Sequence, residues 1–367
     1  MVSIGLVSPP MDGRNGIGNY TASLTAALNA DYTVITLPTE SVNPFSYFTT
    51  AVRVGNSDHD VVHLQYEYGL FGPLSLYWLL FVPVLYLLIK IRGQPVVVTM
   101  HESLNAEVVD APLRQLKALY IRLLNGTIAG LADHIVFLSE TSERRFRHSV
   151  NITTFSTLSH GVQTETLDMD RAAARREFDH ESTAPLIVEP GYVTPRKGTH
   201  LLVKLAKTVP NLSFLIAGGP SSGKDSYFEW IRRNSPENVT VTGVLQDRPF
   251  HAAFIAADLV VLPYAPTTDG AIINKVNQSG VFNLCVAYQV PVVASDCEYF
   301  KNIQESYDCV VTTDIKDLEA FRITIESVLD DEARCQRLRE NMAAFERENS
   351  FKRVAAKHVS LYQTLSG

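Results

Sequence analysis

The chain has 367 residues, of which 46% are apolar and 19% charged. This composition excludes a mainly disordered protein, and the length corresponds to about two domains at ~150 residues each. The 32 basic and 39 acidic residues give a net charge of −7, so no domain-wide basic surface is available and a nucleic acid is excluded as the main partner.

Targeting and redox features of the sequence point to a cytoplasmic protein. Residues 1–10 carry no positive charge and lead into a strand pattern, so no signal peptide is predicted. The cysteines have no metal-ligand spacing, which predicts reduced thiols and no structural zinc site. They are Cys285, Cys297, Cys309 and Cys335.

Short apolar stretches alternate with helical patterns along the whole chain. The first series predicts strands at residues 2–7, 33–37, 61–65, 95–100 and 134–138. The second predicts strands at residues 186–189, 212–217, 238–241, 259–262, 292–294 and 309–312. Nearly continuous apolar character is typical of parallel strands covered on both faces. The sequence therefore predicts an α/β protein with two doubly wound domains, at residues 1–165 and 183–348, followed by an amphipathic C-terminal helix within 349–367.

One segment, residues 74–89, is apolar on every side and is interrupted only by Pro83 and one serine. Its 16 residues are fewer than the ~20 that a membrane-spanning helix needs. Two interpretations stay open. The segment forms a helix that is buried against the first sheet, or it forms a surface helix that enters a bilayer interface, a depth that suits Tyr77, Trp78 and Tyr86.

The segment from Gly191 to Gly198 carries the strongest chemical signal. It follows the first predicted strand of the second domain, and Arg196 and Lys197 come just before a helix predicted at 200–207. A guanidinium fork, an ammonium group and a helix N-terminus directed at one anion suit a diphosphate. The alternative is a solvated basic turn.

Two further loops end at predicted helix N-termini. Gly16 and Gly18 lie between the first strand and a helix at 19–29, where backbone N–H groups suit an anion, but Thr21 replaces the third glycine of a dinucleotide site. Residues 269–280 precede a helix at 281–288, for which Ser279 is the predicted N-cap. The amides behind Ser279 suit a second phosphate, or Ser279 and Gly280 only cap the helix.

His101 follows the predicted strand at 95–100, on the edge of an α/β sheet where ligands usually bind. There it orients a hydroxyl or takes part in proton transfer, or it is a hydrogen-bonded structural residue.

Taken in order, the motifs of this chain resemble those of family-4 glycosyltransferases with the GT-B fold. The resemblance covers essentially the full length. It rests on residues 16–20, 60–69, 95–101, 132–139, 160–162, 191–198, 216–220, 257–263 and 291–296.

The resemblance implies two Rossmann-like domains facing across a cleft. The second binds a nucleotide-diphosphate sugar, the first binds the acceptor, and the last helix returns to the first domain. It implies His101, Arg196 and Lys197 as catalytic residues. It implies donor contacts from Gly16, Gly18, Tyr192, Gly219, Leu245, Asp269, Ser279, Gly280 and Val281, and acceptor contacts from Asn19, Tyr66 and Glu67. No cofactor or metal is expected, and Asp58 and Asp60 are interpreted as turn residues.

The sequence differs from the family at one motif. Val276 and Leu284 occupy the positions where the family has the two carboxylates of Glu-x7-Glu. We expect a metal-independent hexosyltransferase that modifies a lipid-linked acceptor or a cell-surface glycan. We also expect residues 74–91 to contact a membrane surface, with the protein on the inner face of that membrane. The alternatives are a catalytically silent GT-B protein that binds a sugar nucleotide or a partner, and a nucleotide-sugar epimerase.

Overall fold

The computed structural model describes residues 2–13, 15–106, 113–180, 184–221, 225–265 and 278–367. The chain divides into two compact units. The first contains Met1–Gly161 and Asn349–Gly367, and the second contains Val162–Glu348. The first unit is therefore built from both ends of the chain, and the second is one continuous stretch.

The first unit contains a parallel six-stranded sheet in the order β2-β1-β3-β4-β5-β6. Its strands are β1 (Ser3–Ser8), β2 (Asp31–Thr36), β3 (Val61–Tyr66), β4 (Val96–Met100), β5 (His134–Phe137) and β6 (Phe155–Thr157). Its helices are α1 (Gly16–Ala27), α2 (Phe45–Gly55), α3 (Trp78–Arg92), α4 (Arg114–Leu131), α5 (Glu140–Ser149) and the C-terminal α14 (Phe351–Ser366).

Both faces of this sheet are covered, which explains why β3 and β4 are buried along their whole length. α14 packs against α1 and β3, and its Tyr362 is fully buried in a core with Ile4 and Val97. The connections from β2 to β6 run in one direction across the sheet. Right-handed crossovers therefore place α2, α3, α4 and α5 together on one face.

The second unit contains another parallel six-stranded sheet, in the order β12-β11-β10-β7-β8-β9. Its strands are β7 (Leu186–Pro190), β8 (Ser213–Ala217), β9 (Val239–Val241), β10 (Leu259–Leu262), β11 (Val292–Ser295) and β12 (Val311–Thr313). Its helices are α6 (Arg171–Arg176), α7 (Thr199–Ala206), α8 (Asp225–Asn234), α9 (Asp247–Ala256), α10 (Gly280–Ala287), α11 (Glu298–Tyr307), α12 (Leu318–Leu329) and α13 (Glu332–Asn349). The predicted α/β class with two doubly wound sheets is confirmed.

The structure corrects three sequence-based expectations about secondary structure. The first helix, expected at 19–29, begins at Gly16 because Asn15 caps it. β6 is absent from the predicted strands because it is a short, half-buried edge strand whose Ser156 and Thr157 weaken the apolar pattern. The helix expected over 74–89 begins only at Trp78, because residues Pro73–Ser75 form a 3-10 turn in which Leu74 has a φ of 53°. In the part of the chain that is described, no helix is both long and apolar enough to cross a membrane.

Candidate functional site

The second sheet reverses its strand order between β7 and β10. These two strands are neighbours, with Ile187 aligned to Leu259, although 72 residues separate the aligned pair. In open α/β sheets, ligands bind outside the carboxyl ends of the strands at such a reversal. The loop after β7 carries Arg196 and Lys197, and the loop after β10 carries Tyr264. The topology therefore brings the predicted diphosphate loop to the expected position for a ligand.

A chain of hydrogen bonds joins Lys197 to the start of α10. Lys197 Nζ donates to Tyr264 Oη at 2.6 Å and lies 3.8 Å from the centre of the Tyr264 ring. Tyr264 Oη lies 2.8 Å from Ser279 Oγ, which caps α10 by accepting from Phe282 N at 3.1 Å. The predicted N-cap role of Ser279 is confirmed. Lys197, predicted as catalytic, and Ser279, predicted as a donor contact, meet through Tyr264, which was not among the predicted site residues.

The charges around Lys197 are strongly influenced by burial. The pKa of Lys197 is lowered to about 7, mainly by burial and also by the charge of Arg196, while Glu189 opposes both effects. Burial also raises the pKa of Glu189 to about 8, against a hydrogen bond that its Oε1 accepts from Thr199 Oγ1 at 2.8 Å. An anion beside Lys197 would stabilise the ammonium form, because opposite charges favour each other's ionised state.

Close backbone packing holds the two loops of this site together. Gly198 has a φ of +75°, and a Cβ atom at this position would lie 1.8 Å from the carbonyl oxygen of Pro263. Ala265 N donates to the carbonyl of Arg196 at 2.9 Å. Only glycine fits at position 198, so the loop after β7 is fixed against the loop after β10.

The remaining donor residues predicted in the second unit lie in the adjoining loops. A Cβ atom on Gly191 would lie 3.3 Å from a methyl group of Val281, so the loop after β7 also approaches the first turn of α10. A Cβ atom on Gly219 would lie 2.6 Å from the backbone nitrogen of Val244, which precedes Leu245 in the sequence. Tyr192 is 56% exposed, and Leu245 packs partly against the apolar core. Gly280 is the first residue of α10, and a Cβ atom at this position would meet open space. Asp269 and Val276 lie outside the described residues, whereas Leu284 packs against the same core.

The first sheet reverses its strand order between β1 and β3, and the glycine loop follows β1. Asn15 Oδ1 caps α1 by accepting from Ile17 N at 2.8 Å and from Gly18 N at 3.2 Å. A Cβ atom on Gly18 would lie 2.1 Å from the carbonyl oxygen of Pro10. The backbone amides of Ile17 and Gly18 therefore already have a hydrogen-bond partner within the loop. Donor contact from Gly16 and Gly18 stays a prediction. Gly16 has open space around it.

His101 lies next to this reversal, directly after β4. Its Nε2 lies 2.7 Å from Gln65 Oε1, and its backbone N–H donates to the carbonyl of Tyr66 at 2.9 Å. An amide oxygen only accepts, so Nε2 carries the proton and the lone pair is on Nδ1. Burial lowers the pKa of His101 to about 3, with His160 adding to the effect, so the ring is neutral.

Gln65 connects His101 to the C-terminal helix. Gln65 Nε2 lies 3.3 Å from His63 Nε2, and His63 Nδ1 lies 2.6 Å from Tyr362 Oη of α14. The ring of Tyr20 contacts His101 edge-on, with the ring centres 4.9 Å apart. Tyr20 and Gln65 thus contact His101, and His63 contacts Gln65; no local sequence pattern indicated these contacts.

The predicted acceptor residues lie in different environments. Asn19 is exposed and Glu67 is half-buried. The Tyr66 ring is fully buried and packs against Phe71 and Trp78, so contact between this side chain and an acceptor is not supported. Its carbonyl instead orients the backbone of His101.

Parts of the chain are similar in sequence to known glycosyltransferases. Residues 170–345 match the family described as Glycosyl transferases group 1. The processive diacylglycerol alpha-glucosyltransferase of Acholeplasma laidlawii is 28% identical over 120 residues, which cover 32% of this chain and 36% of the relative. The GDP-mannose-dependent monoacylated alpha-(1-6)-phosphatidylinositol monomannoside mannosyltransferase of Corynebacterium glutamicum is 28% identical over 172 residues, 44% of each chain. These alignments thus span less than half of either relative.

A solved structure has the same fold over its full length. The Anabaena protein HepE, crystallised with UDP and glucose, aligns with a TM-score of 0.75 over 99% of this chain and 100% of its own. The two sequences are only 13% identical, so this likeness concerns the fold.

Proposed function

We propose that the chain transfers a sugar from a nucleotide-diphosphate sugar to an acceptor hydroxyl. Two findings support this proposal: residues 170–345 match the family described as Glycosyl transferases group 1, and the chain has the GT-B fold. The observation that carries the proposal is the pair of hydrogen bonds that connects Lys197, Tyr264 and Ser279 at the strand reversal of the second sheet. We assign donor binding to the second unit and acceptor binding to the first.

Glycosyl transfer requires stabilisation of the diphosphate as it leaves. Lys197 and the N-terminus of α10 provide positive charge near one point, and Arg196 adds a second cation on the same loop. Preorganised groups of this kind are worth several kcal/mol in a transition state. We include metal independence in the proposal, since these groups supply the charge that the leaving diphosphate needs.

Lys197 and His101 have different roles in this mechanism. The donor diphosphate stabilises the ammonium form of Lys197, which otherwise loses its proton near pH 7. His101 is neutral and fixed by Gln65, so it orients a polar group of the sugar or acceptor and contributes no positive charge.

We propose a lipid-linked or membrane-proximal acceptor. Two relatives act on acylated substrates according to their names, a diacylglycerol and an acylated phosphatidylinositol mannoside. α3 supports this choice because it buries Trp78 and Leu85 while Leu87 and Ile91 are 61% and 74% exposed. One side of α3 is therefore buried, as the first interpretation of 74–89 expects, and its opposite side is the one we assign to the membrane interface.

Lys197→Ala tests the donor site. UDP-glucose and GDP-mannose are offered with diacylglycerol in mixed micelles, and lipid products are analysed. We expect Lys197→Ala to lower kcat/KM by about 10²–10³, the loss typical of one preorganised electrostatic group. Lys204→Ala, an exposed lysine on α7, is the matched control and should keep wild-type activity. Wild-type kinetics in Lys197→Ala would contradict the assigned role.

A catalytically silent sugar-nucleotide-binding protein is the second candidate. Leu284 favours this candidate. It is an apolar residue that packs against the core, at a position where the family that the sequence resembles has a carboxylate. A thermal shift with a sugar nucleotide, without transfer or hydrolysis under any condition, would select this candidate.

A further inference from the structure

Three helices of the first unit lie side by side on one face of its sheet. α2 packs against α3, and α3 packs against α4. Each helix buries one side, and on each the opposite side also carries large apolar residues. Single exposed leucines are ordinary, but contiguous apolar patches mark interaction surfaces.

α3 and α4 show the same division of sides. On α3, Phe81, Leu85 and Ile89 point inward at a spacing of four residues. On α4, Leu116 and Leu123 are 61% and 54% exposed, whereas the inward side is buried. We define the exposed surface as the apolar–basic face; its apolar members are Phe45, Phe48, Leu80, Leu87, Ile91, Leu116, Leu119 and Leu123.

The charges on these helices are all of one sign. Within the bounds of α2, α3 and α4 there are six basic residues and no acidic one, in a chain whose net charge is −7. The basic members of the face are Arg53, Lys90, Arg92, Arg114, Lys117 and Arg122. Arg92 pairs with the exposed Asp58 at 3.2 Å, and Lys90 Nζ lies 5.5 Å from the centre of the Tyr86 ring.

From this combination we infer that the apolar–basic face docks on an anionic lipid bilayer, with the three helices lying in the interface. Aliphatic side chains enter the headgroup boundary, while long basic side chains reach the phosphates around them. The sign of the charge is opposite to that of the whole chain, so it complements anionic lipid specifically. The inference deepens the proposed function, because it names the surface on which a lipid-linked acceptor is met.

Vesicle flotation of the full chain tests the inference. Wild-type protein is mixed with phosphatidylcholine vesicles, with and without phosphatidylglycerol, at low and high salt. We expect binding to the anionic vesicles, weak binding to neutral ones, and loss of binding at high salt. One variant carries Lys90→Glu, Arg114→Glu and Arg122→Glu, and another carries Leu87→Ser, Leu119→Ser and Leu123→Ser. We expect both variants to bind at least tenfold more weakly. Each basic side chain near the surface is worth about fivefold in binding, and the leucines contribute through the apolar area that they bury in the interface.

The matched control carries Ile323→Ser and Arg233→Glu, two exposed positions of the second unit, and should bind like wild type. Unfolding midpoints of all proteins are compared, so that loss of binding is separated from loss of folding. Equal binding to neutral and anionic vesicles, or equal loss in the control, would overturn the inference. So would self-association of the wild-type chain that the same substitutions abolish, because the face would then bind a second copy. UDP-glucose binding, measured separately by thermal shift, tests the donor site independently of this surface.

Discussion

Lys197 and Glu189 place two titrating groups beside the candidate diphosphate site. The pKa of Lys197 is lowered to about 7 and that of Glu189 is raised to about 8, in both cases mainly by burial. As the pH rises, Lys197 loses a positive charge and Glu189 gains a negative one. Both changes oppose an anionic ligand, so the affinity for the donor is expected to fall above about pH 7.

Binding of UDP-glucose should therefore take up protons. The diphosphate of a nucleotide sugar does not titrate near neutral pH, so protons taken up at pH 7–8 come from the protein. We expect the calorimetric heat of binding to depend on the ionisation enthalpy of the buffer. Lys197→Met should remove most of this dependence, and an equal heat in all buffers for the wild-type protein would contradict the prediction.

Glu189→Gln gives a pH-dependent test of stability. A carboxyl with a raised folded pKa stabilises the fold fully below its unfolded value, and this contribution is lost as the pH rises toward about 8. Glutamine has the same shape and no charge. The variant should therefore unfold at a higher temperature than wild type at pH 8, by about 2–4 °C for each kcal/mol saved, and the difference should shrink at pH 5.

The exposed Glu237 provides the control for this measurement, because Glu237→Gln should leave the unfolding midpoint unchanged at both pH values. A Glu189→Gln variant that is less stable at pH 8 than wild type would show that the carboxylate is ionised and paired in the fold.

At the scale of elements, β3, β4 and α14 jointly hold His101. The Gln65 side chain lies within hydrogen-bond distance of His101 on one side and of His63 on the other. His63 in turn contacts Tyr362 of α14. A neutral imidazole has two tautomers, and the hydrogen bond at one nitrogen selects which of them is present. Gln65 is therefore a positioning residue for His101.

Gln65→Leu removes this hydrogen bond while keeping the size of the side chain similar. We expect kcat to fall about tenfold or more with little change in the affinity for UDP-glucose, because the proposed donor contacts lie in the second unit. Nitrogen NMR should show the His101 ring leaving the Nε2–H form. Gln163→Leu, a substitution at the exposed start of the second unit, serves as the control. Unchanged kcat with a changed tautomer would exclude a positioning role.

The elements differ in how far the sequence predicts them. Buried strands such as β3 and β10 follow from their continuous apolar runs, because every position is covered. The Lys197 loop is recognisable because its cations and glycines are contiguous. Its partner Tyr264 is not, since it comes 67 residues later and only the strand order brings the two together. Local patterns also cannot show that Asn15 already occupies the amides of Ile17 and Gly18.

At the scale of the whole molecule, the first unit depends on the last helix. α14 supplies Tyr362 to the core and to His63, and Phe351 to the contact with Tyr20. Without α14, one face of the first sheet would lose its cover and expose apolar side chains.

A chain that ends at residue 350 should therefore lose the first unit selectively. We expect hydrogen exchange to increase throughout β1, β3 and β4, while the second unit keeps its protection and its affinity for UDP-glucose. Lys357→Ala, an exposed position on α14, should leave exchange unchanged. Uniform protection of the truncated chain would show that α14 is dispensable for the first unit.

The placement of α14 also constrains how such chains can recombine. Between Gly161 and Asn349 the second unit is an insertion, so it has two junctions with the first. A chimera made by a single crossover near residue 161 would combine the strands of one parent with the terminal helix of the other. Hybrid proteins that exchange the second unit therefore require two crossovers, near residues 161 and 349, so that Tyr362 and His63 descend from the same parent.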